Sequence, residues 1–250
     1  MHTNMPGNGS GDNSEAGRYH RAALLGSPSQ IPIFPTMNAP NSPENDPDAD
    51  LRDRLADALA TEAAFDGWTR AALSAAGRQL ELPPGEAERL FPGGPIQALT
   101  YLSKRSDQRT VEDMEKEGVA GLKIRDRIRQ AVRIRIERHA GEREAVRRAL
   151  ALLALPLNGA MALKLLYRTV DAIWYAAGDA STDFNFYTKR AMLAGVYSST
   201  LLYWLNDRSP ASEATWGFLD RRIDDVMRIE RLKSQVSSWT RPTTRAASRR

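Results

Sequence analysis

Cysteine is missing from the chain altogether, so disulfides, thiolate metal sites and cysteine nucleophiles are excluded, while a reducing compartment is permitted. Histidine is almost as scarce. His2 and His20 fall in a polar leader, which leaves His139 alone in the foldable part, at the end of an arginine-rich stretch where a surface helix terminus is its expected place. There is no second usable His, no Gly-rich phosphate loop before a strand and no Glu-x-x-His pair on a helix. The usual nucleophilic, metal and nucleotide constellations are therefore absent, and the chain reads as a protein that is not an enzyme and needs no metal. Asp183 with Lys189 and Arg190 supplies charge, but nothing places an acid and a base in one pocket. Long apolar runs are lacking too: Ala191 to Leu205 has no charged residue, yet its fifteen positions fall short of the ~20 that span a bilayer.

What is present is enough apolar residue, 42% of 250, to bury a real core in one large or two small domains. Residues 1–49 are rich in Gly, Pro, Ser and Asn and show no apolar period, so they read as a disordered leader. Asp12, Glu15, Glu44, Asp46, Asp48 and Asp50 fit neither a secretory signal nor a mitochondrial presequence, so no transit peptide is read, and Met37 offers an alternative start. The net charge of +4 is unevenly spread. Arg231 to Arg250 holds six basic residues and no acid, and residues 237–250 read as a basic disordered tail able to touch an anionic surface.

Between these ends every apolar pattern has helical period, and the fold class read from it is all-α. Leu51, Leu55, Ala58 and Leu59 make one buried face of a helix that Asp50 caps and Gly67 ends. Thr69 caps a second helix that Gly77 closes, and Pro83-Pro84-Gly85 opens a third running to Leu90. Residues 50–94 thus have a helix-turn-helix rhythm, and their layout resembles the amino-terminal domain of TetR repressors. The third helix argues against DNA reading, because Glu86 and Glu88 outnumber Arg89 where a polyanion would lie; no nucleic-acid partner is expected. Residues 95–236 form the larger helical region. In it Ile124, Ile128, Val132 and Ile136 repeat every fourth residue among seven Lys and Arg answered locally by Asp126 and Glu137, which reads as a solvated face or as one for phosphate or lipid headgroups.

Two charge-free segments, Leu150–Leu163 and Ala191–Leu205, read as buried helices at the centre of this region. With Met161, Leu165, Trp174, Leu193, Val196, Tyr197 and Leu201 they carry more apolar volume than one seam needs, enough for a filled core or for a lipid-sized cavity. At the start of the central helix Phe184 and Tyr187 share a face, Phe186 is turned about 200° away, and Arg190 lies a turn beyond. The core cannot take every ring. A face mixing an aromatic with Asp183 and Arg190 has the makeup of an interaction hot spot. Trp216, Leu219, Ile223, Val226 and Ile229 give the last helix a seam that could also serve a dimer.

The stretch WYAAGDASTDFNFYTKRAMLAGVY, Trp174 to Tyr197, is similar to the signature of the coenzyme Q biosynthesis accessory family, TetR-fold lipid-binding proteins that assist ubiquinone hydroxylation. GWTRAALSAAG (Gly67–Gly77), LFPGGP (Leu90–Pro95) and TWGFLDRRIDDVM (Thr215–Met227) match as well, so the resemblance covers about residues 50–230. It implies a TetR-like homodimer without cofactor or chemistry of its own, which binds isoprenoid lipid or quinone and presents it to a membrane-associated hydroxylase of diiron or flavin type. It also implies a partner patch of Asp183, Phe184, Asn185, Phe186, Tyr187 and Arg190, with Phe186 where the family pattern has Trp. With no transit peptide read in the leader, the expected place is the bacterial cytoplasm, peripheral at the inner membrane. A ligand-responsive repressor is the alternative. The family's final amphipathic membrane helix has no long apolar counterpart here, since Gln235–Arg250 offers only Val236 and Trp239, which points to weaker or more electrostatic docking.

Overall fold

The computed structural model describes residues 46–178 and 185–239. The chain divides into two units, Met1–Asp46 and Pro47–Arg250, and the helices below all belong to the second. The disordered-leader and basic-tail readings therefore fall, almost entirely, outside the described residues. Among those residues there are nine α-helices and no strand: α1 (Ala49–Asp66), α2 (Arg70–Gln79), α3 (Glu86–Leu90), α4 (Gly94–Lys116), α5 (Ile124–Glu137), α6 (Arg143–Leu153), α7 (Gly159–Ala176), α8 (Asn185–Asn206) and α9 (Glu213–Trp239).

α1 to α3 close a first core on Leu55, Leu59, Leu73, Leu90 and Phe91, all essentially without solvent contact; each such side chain contributes roughly 1.5–3 kcal/mol. The expected punctuation holds at Gly67, which ends α1 with a positive φ, and at Thr69, whose hydroxyl accepts the Ala72 N–H of α2 at 3.1 Å. Gly77 does something else. It was expected to close α2, but the helix continues to Gln79, and a Cβ on Gly77 would lie 3.0 Å from Cβ of Ala87 on α3. The glycine is there because two helices touch at that point.

α4 joins both cores, with Ala98 in the first and Met114 in the second, where α5 and α7 to α9 pack around Val132, Ile136, Ile173, Trp204 and Leu219. The arginines of α5, expected to form a solvated or anion-binding face, are largely paired with groups on other helices, although only Arg135 is buried. Arg125 and Arg129 pair with Asp224 and Asp220 on α9, Arg135 with Asp107 and Arg138 with Asp113 on α4, and Arg127 donates to the Ala177 carbonyl at the end of α7. Local sequence hid this because the answering acids lie 25 to 99 positions away along the chain.

Packing also bears on two further expectations. α8 is not surrounded: Leu193, Val196, Tyr197, Leu201, Trp204 and Leu205 are buried, while Ala191, Gly195, Leu202 and Tyr203 are exposed. An uncharged face need not be a covered one. On α9, Leu219 and Ile223 of the expected seam are buried in this chain's own core, and Trp216 and Val226 are partly buried against it. Between the two helices Asp207 accepts the N–H groups of Ser209 and Thr215 at 2.8 and 2.9 Å. Burial works to raise its pKa, but these bonds and that of the Thr215 hydroxyl outweigh it and hold the carboxyl down at about 2.

Candidate functional site

A cavity of about 480 Å³ lies between α4, α5, α6, α7 and α8 and reaches Asp57 and Ala60 of α1 and Trp68 in the link from α1 to α2. Its volume falls in the range of small-molecule sites. Trp68 is fixed as part of the wall by its indole N–H, which donates to the Ala145 carbonyl at 3.0 Å. The apolar lining comes from α6 and α7, through Val146, Ala149, Leu150, Leu153, Ala162, Leu165 and Leu166, with Leu201 and Leu202 from α8.

The other lining is cationic. The middle of α4 supplies Arg105 and Arg109, and the end of α5 supplies Arg135, Arg138 and His139. Arg135 is 4% exposed; its Nε donates to Asp107 at 2.8 Å, and the Thr169 hydroxyl donates to the same carboxylate oxygen at 2.9 Å. Arg105 is held by Asp53 at 2.9 Å and by Asp57. Arg138 donates to Asp113 and to the Arg109 carbonyl, and its buried Nε has no partner among the described residues. Burial pushes the Tyr197 phenol above its ordinary pKa, so it stays a neutral donor beside this group.

His139 is not the surface residue expected. It does follow the end of α5, but it lines the cavity with Nε2 2.5 Å from Arg135 Nη1 and Nδ1 3.5 Å from Glu142. Burial lowers its pKa most, Arg135 acts in the same direction, and Glu142 opposes them. A base whose folded-state pKa lies below the unfolded value of about 6.5 adds its full stability above that pH and loses it as pH falls toward the folded-state value. Urea midpoints of the wild type should therefore drop between about pH 7 and pH 5 by more than those of His139→Gln. Equal slopes would show that His139 titrates as if in water.

Of the residues expected to bind lipid, Leu165, Tyr197 and Leu201 line the cavity. Trp174, Leu193 and Val196 lie in the second core instead, Trp174 beneath the Lys189 ammonium at 5.8 Å, and Met161 is partly buried with its sulfur 3.7 Å from the Thr100 hydroxyl. The reason is register: the cavity meets α8 along Tyr197, Ser198, Leu201 and Leu202, beyond its first two turns. Sequence reasoning missed the cationic lining, although a signal existed. Arg135 and His139 continue the apolar stripe of Ile128 and Val132 at helical spacing, and a charge on such a stripe is out of place unless a partner meets it inside.

The expected partner patch is described only in part. Asp183 and Phe184 lie outside the described residues, and Asn185 and Phe186 are described only as the first residues of α8. Tyr187 is 58% exposed. Arg190 is buried and clamps Asp171 of α7 through Nε at 2.9 Å and Nη2 at 2.6 Å, so it ties the two helices together. Along α7, Tyr167 and Tyr175 are exposed on either side of Asp171 at helical spacing, which extends the aromatic surface beyond the residues expected.

Residues 159–230 match the sequence model of the COQ9 family. The chain is 36% identical over 178 residues to human "Ubiquinone biosynthesis protein COQ9, mitochondrial" and 35% over 178 residues to the Xenopus tropicalis protein of that name. Over these spans the chain is similar to the COQ9 family. Each of those two alignments takes in 69% of this chain and 56% of the relative, and the Drosophila melanogaster COQ9 protein is 31% identical over 194 residues, 76% of this chain and 59% of that protein. The chain thus spans little more than half the length of the COQ9 relatives it matches. Among solved structures, a TetR transcriptional regulator from Nitrosomonas europaea ATCC 19718 superposes with a TM-score of 0.60 at 23% identity, over 70% of this chain and 97% of that one. The fold is TetR-like and all-helical, as the sequence led one to expect. One expectation is overturned: a place in the bacterial cytoplasm does not agree with COQ9 relatives named as mitochondrial proteins. That expectation rested on acids scattered through the leader, and such composition does not decide a compartment.

Proposed function

We propose that the chain serves ubiquinone biosynthesis without chemistry of its own, by holding an isoprenoid quinone precursor in the cavity and presenting it to a hydroxylase. The observation that carries this reading is the two-sided lining. Aliphatic side chains of α6 and α7 suit a prenyl tail, while the Arg135, Arg138, His139 and Tyr197 side suits the oxygens of a phenol or quinone ring. The Tyr197 phenol, kept neutral by burial beside fixed guanidinium groups, can donate to those oxygens without adding further charge. The exposed rings of Tyr167, Tyr175 and Tyr187 supply the flat anchors a hydroxylase surface would use.

A homodimer is part of the same proposal. The outward side of α8 offers Tyr203, stacked on Phe218 of α9 at 4.6 Å, and the small residues Ala191, Gly195 and Ser199 one turn apart, a surface a second copy could cover. The relatives' names favour a mitochondrial setting. The repressor alternative finds no support in α3. That helix has five residues, and its Arg89 is engaged by Glu86 at 2.6 Å and Asp48 at 2.8 Å rather than left for phosphate.

Mass spectrometry of organic extracts from protein purified without detergent is the test. Isoprenoid quinones or their precursors are expected in the wild type, and Ala162→Phe, which fills the aliphatic side, should lower their occupancy several-fold at a stability cost of about 1–3 kcal/mol. Lipid-free protein from quinone-producing cells, or equal occupancy in the variant, would defeat the carrier reading.

A further inference from the structure

Between Arg148 and Lys164 the chain carries no charged residue, and much of this stretch faces water instead of the core. α6 ends at Leu153, Pro156–Asn158 form one 3-10 turn, and α7 leaves at 93° to α6. At this corner Ala154, Leu155, Leu157, Ala160 and Leu163 are exposed, Leu157 almost completely. One exposed leucine is ordinary, but three on a single corner with no charged residue between them form an apolar tip. The single polar side chain there, Asn158, turns its amide back onto the Leu152 carbonyl at 2.8 Å, and its N–H meets the Leu155 carbonyl at 2.9 Å. The tip therefore meets an apolar medium with its turn already hydrogen-bonded.

Charge is arranged behind the tip. Lys164 and Arg168 follow one and two turns into α7, and among the described residues neither has an ion-pair partner. On the α6 side Arg147 and Arg148 share Glu144, at 3.3 and 3.4 Å. An aliphatic tip with free cations one and two turns behind it is complementary to a bilayer whose headgroups are anionic, because long basic side chains lie along the interface while leucines enter it. A protein partner fits less well, since such interfaces draw on aromatic anchors and the tip has none. No single described helix is long and apolar enough to cross a membrane, and the 93° bend makes the α6–α7 pair a wedge that enters one leaflet. Leu153, Ala154 and Ala162 belong to the tip and to the cavity wall alike.

We propose that the α6–α7 corner is a membrane-docking wedge that inserts into an anionic lipid surface and sets the wall of the cavity against it, where lipid can pass in and out. The passage of lipid rests on the carrier reading; the docking does not.

Flotation of the full chain with phosphatidylcholine vesicles, with and without phosphatidylglycerol, tests it. The wild type is expected to float with the anionic vesicles. Leu155→Glu combined with Leu157→Glu should lower its partition about a hundredfold or more, given the apolar area withdrawn. Lys164→Ala with Arg168→Ala should lower it about tenfold on anionic vesicles and leave the neutral ones unchanged. Phe65→Glu, on an exposed residue of α1, should change neither. Both leucines are exposed, so circular dichroism should be unaltered, and Leu157→Trp adds a readout that needs no loss of binding: quenching of its emission by brominated lipid. Unchanged flotation of the double glutamate variant overturns the proposal, and so does a change in its oligomeric state without vesicles, which would make the corner a contact between copies. Isoprenoid retained by that variant while docking is lost supports it. Corner-dependent docking of protein that never carries isoprenoid also supports the wedge, and in that case it is the carrier reading that fails.

Discussion

Exchanging Arg135 for methionine should cost the folded chain about 3–5 kcal/mol, the largest loss expected from any single substitution in the cavity wall. The guanidinium is 4% exposed and Asp107 is 6% exposed, so the variant leaves a carboxylate inside the protein with only the Thr169 hydroxyl to answer it. Desolvation of that unpaired charge is the source of the cost, more than any attraction forgone. Adding Asp107→Leu to Arg135→Met should therefore recover most of the stability, since an apolar pair leaves no buried charge behind. Urea unfolding of the two single variants and the double variant forms the cycle that measures this. Losses below about 1 kcal/mol in both single variants would mean that water reaches the pair. The double variant carries a second piece of information. If it regains stability but no longer retains lipid, the ion pair is kept for the ligand's polar end and not for the fold.

Tyr187→Lys should abolish capture of the ubiquinone-pathway hydroxylase while leaving helical content and bound lipid near those of the wild type. The ring is 58% exposed in the first turn of α8, so a lysine there stays in water and puts no charge into the core. Loss of an aromatic anchor at an interface costs 2 kcal/mol or more, which is about a thirtyfold weakening before any repulsion by the new charge is added. A pull-down with circular dichroism on the same preparation separates contact from fold. A folded variant that still captures the hydroxylase removes Tyr187 from the interface, and an unfolded one means the ring supports the helix. Arg190→Ala should behave differently. Because Arg190 clamps Asp171, its removal should loosen α7 from α8 and lower stability along with binding.

The helices were legible along the chain because each is a local object: a cap such as Thr69, a stop such as Gly67 or Gly178, and an apolar period between them lie within one stretch. The TetR-like class and the similarity to the COQ9 family follow from the same local information, since the order of caps and the wording of motifs survive in sequence. Distance along the chain set the limit. The arginines of α5 looked solvated because Asp107, Asp220 and Asp224 stand on other helices, and only folding brings them into contact. His139 looked like a surface terminus because nothing near it in sequence says that α4 and α6 close over it. The charge-free runs looked buried, yet hydropathy records what a residue tolerates and not what covers it. The same alanines and leucines became core at Ala149, cavity wall at Leu153 and bare surface at Leu157. Sequence by itself determined which segments are helical and which face of each is apolar. Which apolar face meets another helix, which meets a cavity and which meets nothing is a property of how the described helices share a limited interior, and only the tertiary structure decided it.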